Sequence, residues 1–221
     1  MRAAAYIDGF NLYYGLRALR ERAPQFGENR WLDLRRLAQE LSPRAQLRQV
    51  RYFTARVEAR DGDPGLPQRQ DVYLRALRTL PDLTIHFGAF LTHQVTLPLA
   101  EPSESQRWAT VLRTEEKGSD VNLATYLLLD AFFDRYDLAI VISNDSDLAE
   151  PVRAVRDELH RRVLVVSPQE RVTARLRQAA SDSRILRPGV AARCQLPVPV
   201  IDALGHSIHP PPAWGPFRNI S

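Results

Sequence analysis

Four aspartates stand where carboxylates can do chemistry: Asp8, Asp120, Asp145 and Asp147. Asp8 ends the apolar run Ala3–Ile7. Asp145 and Asp147 follow the apolar run Leu138–Ile142 across Ser143-Asn144, and Asp120 closes Lys117-Gly118-Ser119-Asp120. Carboxylates brought to one place repel: a pair about 4 Å apart costs roughly 4 kcal/mol at an effective dielectric near 20. A divalent cation, or a proton on some members, makes such a cluster tolerable. Hard oxygen donors without a thiol favour Mg2+ or Mn2+ over Zn2+. The chemistry such a site supports is metal-assisted attack of water on a phosphate ester.

That reading holds only if the fold brings the four together. Short apolar runs alternate with helical periodicity along the chain. Strands are expected at Ala3–Ile7, Gln49–Val57, Leu83–Leu91, Leu138–Ile142 and Val163–Val166, with a turn at Asp8-Gly9. Helices are expected at Trp31–Leu41, from Pro67 to about Leu80, from Ser119 or Asp120 to about Phe133, at Leu148–His160 and near Glu170–Ala180. The irregular stretch Thr92–Glu116 reads as an extended excursion or hairpin. Alternating strands and helices imply an α/β fold, a doubly wound, mainly parallel sheet with helices on both faces. Ligands in such sheets bind beyond the carboxyl ends of the strands, where Asp8, Asp145 and Asp147 are expected. The edge reached by Asp120 is left open.

Each acid also has an ordinary reading. Asp8-Gly9 can be a turn, Asp120 a helix N-cap, and Asp145 or Asp147 the cap of the following helix. The histidines (His86, His93, His160, His206 and His209) show no metal-pair spacing. Ser143, Ser146 and Cys194 have no base nearby in sequence to activate them. Tyr13, Tyr14, Phe53 and Phe90 can stack on bases or simply fill the core. Arg56, Arg60 and Arg69 fall near the expected edge and can grip phosphates.

The chain has 221 residues, 44% of them hydrophobic and 25% charged, enough for a sizeable core. Its formal net charge is +4, and Lys117 is the only lysine among the 30 basic residues. An arginine surplus matches phosphate geometry, although a GC-rich genome produces the same bias. A single cysteine excludes a disulfide framework and suits the cytoplasm, and no apolar stretch approaches a membrane span. Prolines cluster from Arg187 onward. Residues 1–186 are therefore read as one domain, and 187–221 as a proline-rich tail without regular helix that wraps the surface or a partner.

Two rivals fail on the residues. A dinucleotide-binding turn needs G-x-G-x-x-G after the first strand, where this chain has Asp8-Gly9-Phe10-Asn11. A haloacid-dehalogenase-like phosphatase needs a second acid where Phe10 stands. Tyr6–Gly15 (YIDGFNLYYG), Glu115–Phe132 (EEKGSDVNLATYLLLDAF) and Val141–Val152 (VISNDSDLAEPV), with Arg51–Val57 (RYFTARV), instead resemble the NYN domain family of the PIN-like ribonuclease superfamily. The resemblance runs from about Tyr6 to Ser167. It implies a PIN-like, Rossmannoid sheet and a Mg2+- or Mn2+-dependent ribonuclease site. Asp8, Asp120 and Asp145 would be the principal acids and metal ligands, with Asp147 assisting. Asn11 would orient Asp8 and Lys117 would neutralise a phosphate; Arg56, from its place near the expected edge rather than from the resemblance, is read as a substrate contact. The expected partner is RNA, single-stranded, with a homodimer left open. Asn144 replaces the glycine usual between the serine and the first aspartate, a backbone change expected to matter little. The resemblance leaves two alternatives: an RNA-binding module without catalysis, and an NADH-dependent hydroxylase of a pyridine compound, a label that some relatives carry.

Overall fold

The strand Leu138–Ile142 is apolar throughout and fully buried, and it lies inside a sheet covered on both faces. The structure is a computed structural model in which residues 1–59, 62–101 and 107–215 are described. Its strands are β1 (Arg2–Asp8), β2 (Gln46–Ala55), β3 (Leu83–Pro98), β4 (Trp108–Lys117), β5 (Leu138–Ile142), β6 (Arg162–Ser167) and β7 (Asp182–Ile185). They form one sheet in the order β4-β3-β2-β1-β5-β6-β7, parallel except for β4. The α/β, mainly parallel architecture expected from the sequence is the one observed. The order reverses between β1 and β5, which makes their carboxyl ends the switch point where such sheets open a crevice.

Helices α1 (Gly9–Arg22), α2 (Leu34–Leu41) and α3 (Leu66–Leu77) put Leu12, Leu16, Leu37 and Leu77 against one face. Helices α4 (Ser119–Phe132), α5 (Ala149–Asp157) and α6 (Ala174–Ala179) put Leu123, Leu127, Val152 and Leu176 against the other. On the inner face of α4, Asp130 is fully buried. Arg51 grips it with two bonds of 2.7 and 3.0 Å, and the Tyr6 hydroxyl and Arg135 donate to it at 2.7 and 2.8 Å. Burial opposes its charge, but these donors hold the carboxyl below the usual aspartate range.

Several expectations are corrected. The chain does not turn after β1. It enters α1 directly, because the Asp8 side chain accepts the Asn11 N–H at 2.9 Å as an N-cap. Helix α2 starts at Leu34 rather than Trp31, since Asp33 caps it through the Arg36 N–H. The excursion after Leu91, by contrast, bears out the hairpin reading as an antiparallel arm: β3 pairs with β2 as far as Gly88 and with β4 from Ala89 onward.

The tail does contain helix. α7 (Pro188–Arg193) begins with proline at its first turn, where the missing N–H costs nothing. Strands β8 (Val200–Ile201) and β9 (Ser207–Ile208) then pair, and Trp214 packs, buried, with Trp31 and Tyr73. Arg60, Pro102 and Pro216 lie outside the described residues.

Candidate active site

The arm settles which edge Asp120 reaches. β3 leaves the sheet at its carboxyl edge and β4 runs back antiparallel, so Lys117 ends opposite Ala89. Gly118 then bends with φ +95°, a left-handed value that glycine adopts without strain, and α4 starts at the carboxyl edge. The crossing is tight. A Cβ on Gly88 would stand 2.5 Å from the Lys117 carbonyl oxygen and 3.0 Å from the Ser119 nitrogen.

A cavity of about 190 Å³ opens there, lined by Asp8, Asn11, Glu116, Ser119, Asp120, Asp145 and Gln169 with Phe10 and Tyr14. Asp8 is 6% exposed. The Ser143 hydroxyl donates to its second carboxylate oxygen at 2.9 Å and accepts the Asp145 N–H at 3.1 Å. Asp145 caps the short 3-10 turn Ser146–Leu148, accepting the Asp147 N–H at 2.9 Å. Capping and clustering are thus properties of the same side chains.

Asn11 orients Asp8 through its backbone; its side chain instead accepts the Asn144 N–H at 3.0 Å. Asn144 in turn donates to Gln169 at 2.9 Å and accepts the Thr173 N–H at 2.8 Å. It is a clasp joining the β5 and β6 loops, a structural role that glycine could not fill.

Electrostatics follow from this crowding. Burial pushes the Asp8 carboxyl up, opposed by its two hydrogen bonds, and Asp145 and Glu116 add to the rise. Asp120 is pushed up to about 7, first by burial and then by Asp8, Asp145, Glu116 and Asp147. Among the described residues no three His, Cys, Asp or Glu side chains converge closely enough to hold a metal ion as they stand. The donor chemistry nevertheless fits a hard cation. Hard oxygens crowd one cavity, the charge on Asp120 is suppressed, and the buried Ser119 hydroxyl has no partner among the described residues.

The remaining expected residues stand apart. Asp147 influences Asp120 but does not line this cavity. Lys117 pairs with Glu115 at 2.8 Å. Arg56 pairs with Asp71 at 3.1 Å and lies 5.1 Å over Phe87, and Arg69 pairs with Asp63. Glu116 was not among the expected residues. The two-residue period of a strand turns it to the opposite face from Glu115 and Lys117, into the cavity. His86 stacks on Phe53 beside Arg51 and does not line the acidic cavity.

The profile of a protein family described as "NYN domain" matches residues 2–186. A Pseudomonas putida (strain DSM 28022 / S16) protein named 6-hydroxy-3-succinoylpyridine 3-monooxygenase HspA is 30% identical, over 89% of this chain and 70% of its own. A crystal structure of a Vibrio parahaemolyticus protein of unknown function superposes with a TM-score of 0.51 at 16% identity. It covers 84% of this chain and 93% of that one, a likeness of fold.

Proposed function

Because the chain belongs to the NYN domain family, of the PIN-like nuclease superfamily, we propose that it is a Mg2+- or Mn2+-dependent ribonuclease cutting single-stranded RNA. One observation carries this reading: carboxylates from β1, the β5 loop and α4 line one cavity at the switch point of the sheet. Asp8, Asp120 and Asp145 would hold the cation, with Glu116 beside them and Asp147 adding negative charge from outside. When bound, the cation would polarise a phosphate oxygen and acidify an attacking water.

The chain's own residues prepare the site. Ser143 fixes Asp8 and steadies the Asp145 backbone, while the clasp at Asn144 holds the loop between them. Near neutrality Asp120 still carries a proton on part of the molecules, so loading the site must release it. Incubation of the purified chain with single-stranded RNA tests the proposal: cleavage with Mn2+ and none in EDTA is expected. Metal-independent binding without cleavage would leave an RNA-binding module.

A second reading is favoured by the Pseudomonas relative, whose name gives a pyridine monooxygenase. On this reading the chain would hydroxylate a pyridine compound with NADH and dioxygen. NADH consumption dependent on 6-hydroxy-3-succinoylpyridine would support it and displace the ribonuclease.

A further inference from the structure

A second cavity, of about 260 Å³, adjoins the acidic one. It lies between α1, the end of β2, α3 and the tail, and Phe10 and Tyr14, one turn apart on α1, line both cavities. Its walls include Tyr13, Tyr14, Tyr73 and Trp214, and its charge is mainly cationic, from Arg17, Arg30 and Arg69 against Asp63. Two of these arginines are engaged. Arg69 pairs with Asp63, while Arg30 pairs with Glu28 at 2.7 Å and lies 5.2 Å over the Trp214 ring. Arg17 is exposed and has no ion-pair or hydrogen-bond partner among the described residues. Trp214 is fixed by Tyr73 and Trp31, at 5.8 and 6.4 Å between ring centroids. It comes from the tail, beyond the residues that the family profile matches.

The two cavities have opposite preferences. The acidic one repels a phosphate unless a cation is present, whereas this one offers aromatic faces and a free guanidinium. Aromatic side chains stack on any base, because every base has a π-face, and a guanidinium matches phosphate geometry. At about 260 Å³ it lies just under the roughly 300–1,000 Å³ of pockets for drug-sized ligands. That suits a single base rather than a folded partner.

We propose that this cavity is a nucleotide subsite. It takes one base of single-stranded RNA against the aromatic wall, with the attached phosphate at Arg17, and the chain continues over the Phe10–Tyr14 ridge to the acids. The identity of the polymer rests on the ribonuclease reading, whereas the nucleotide site does not. Selection by base is weak, because stacking supplies most of the contact.

Calorimetric titration of the full chain in EDTA tests this with 5′-AMP, 5′-UMP, adenosine, ribose 5-phosphate and nicotinate. AMP and UMP should bind with affinities within about fivefold of each other, and ribose 5-phosphate at least about tenfold more weakly. Arg17→Ala should weaken AMP about tenfold and leave adenosine unchanged. Tyr14→Ala, at a residue 51% exposed and so dispensable for folding, should weaken both. Ribose 5-phosphate binding as well as AMP, AMP binding indifferent to both substitutions, or nicotinate binding as tightly as AMP would each overturn the subsite. Nucleotide binding with RNA left intact in Mn2+ would keep the subsite and remove the ribonuclease. Metal-dependent cleavage without nucleotide binding would do the reverse.

Discussion

The Ser143 hydroxyl at the end of β5 donates to the Asp8 carboxylate at the end of β1, at 2.9 Å, and the same oxygen accepts the Asp145 N–H. The acid that ends β1 and the acid in the loop after β5 are thereby set by one buried hydroxyl. Ser143→Ala should remove both contacts and leave the apolar packing intact. Groups that orient metal ligands typically contribute 10- to 100-fold in affinity or activity, so metal-dependent cleavage should fall by about that factor with the fold retained. Unchanged kcat and metal affinity would show that Ser143 is only a structural filler.

Asp120 gives the acidic site a pH signature. Its folded value is raised to about 7, against roughly 3.9 for an unperturbed aspartate. Between these values the folded chain keeps a proton that the unfolded chain has lost, so this group's contribution to stability falls as pH rises through that window. In EDTA, the Tm of wild type relative to Asp120→Asn should therefore decline from about pH 4 to pH 7. At pH 8 the variant should melt higher. Mn2+ should then stabilise wild type more than the variant. Melts of the two proteins across pH check this, and a constant Tm difference would show that burial and the neighbouring acids do not raise the Asp120 carboxyl.

Asn144→Gly tests the clasp. Glycine is the residue the family resemblance expects there, but here it would lose the side-chain bonds to Gln169 and Thr173. At about 1 kcal/mol for each hydrogen bond, the substitution should cost about 2 kcal/mol in urea unfolding. A loss under about 0.5 kcal/mol would mean that water replaces both bonds.

Much of this architecture was legible before the structure. Leu138–Ile142 is apolar at every position and was bounded to the residue, because a strand covered on both faces leaves no polar side to blur it. The meeting of the acids of β1 and of the β5 loop was legible because two apolar parallel strands run into aspartates at the same sheet edge, although each aspartate alone reads as a turn or cap. Helix α1 was not legible. Asp8-Gly9 looks like a turn, and only the three-dimensional cap shows the aspartate starting a helix. Glu116 was hidden for another reason: the face it takes depends on the register of a long arm that local periodicity does not fix. The edge reached by Asp120 depended on the same arm. The packing of Trp214 onto Trp31 and Tyr73 joins residues far apart in sequence, and proline content suggested only that the tail wraps the surface or a partner, not where it docks.

Asp130 separates stability from chemistry. It is buried with Arg51, Tyr6 and Arg135 as partners and lies outside the acidic cavity. Asp130→Ala strands the buried Arg51 guanidinium, and breaking such a pair typically costs about 3–5 kcal/mol. Urea unfolding should show that loss, while the molecules that remain folded keep their metal-dependent activity. A loss below about 1 kcal/mol would mean that Arg51 finds water or another acceptor.

The central claim is that the carboxylates at the switch point hold a cation that cuts RNA. The most direct measurement is cleavage of a labelled single-stranded RNA by wild type, Asp8→Asn and Asp145→Asn, each with Mn2+ and with EDTA, all three confirmed as folded by circular dichroism. Wild type should cut with Mn2+ and not with EDTA, and each variant should lose at least about 100-fold in rate, close to 3 kcal/mol of barrier. Full activity in either variant, or equal cleavage by wild type in EDTA, would contradict the account.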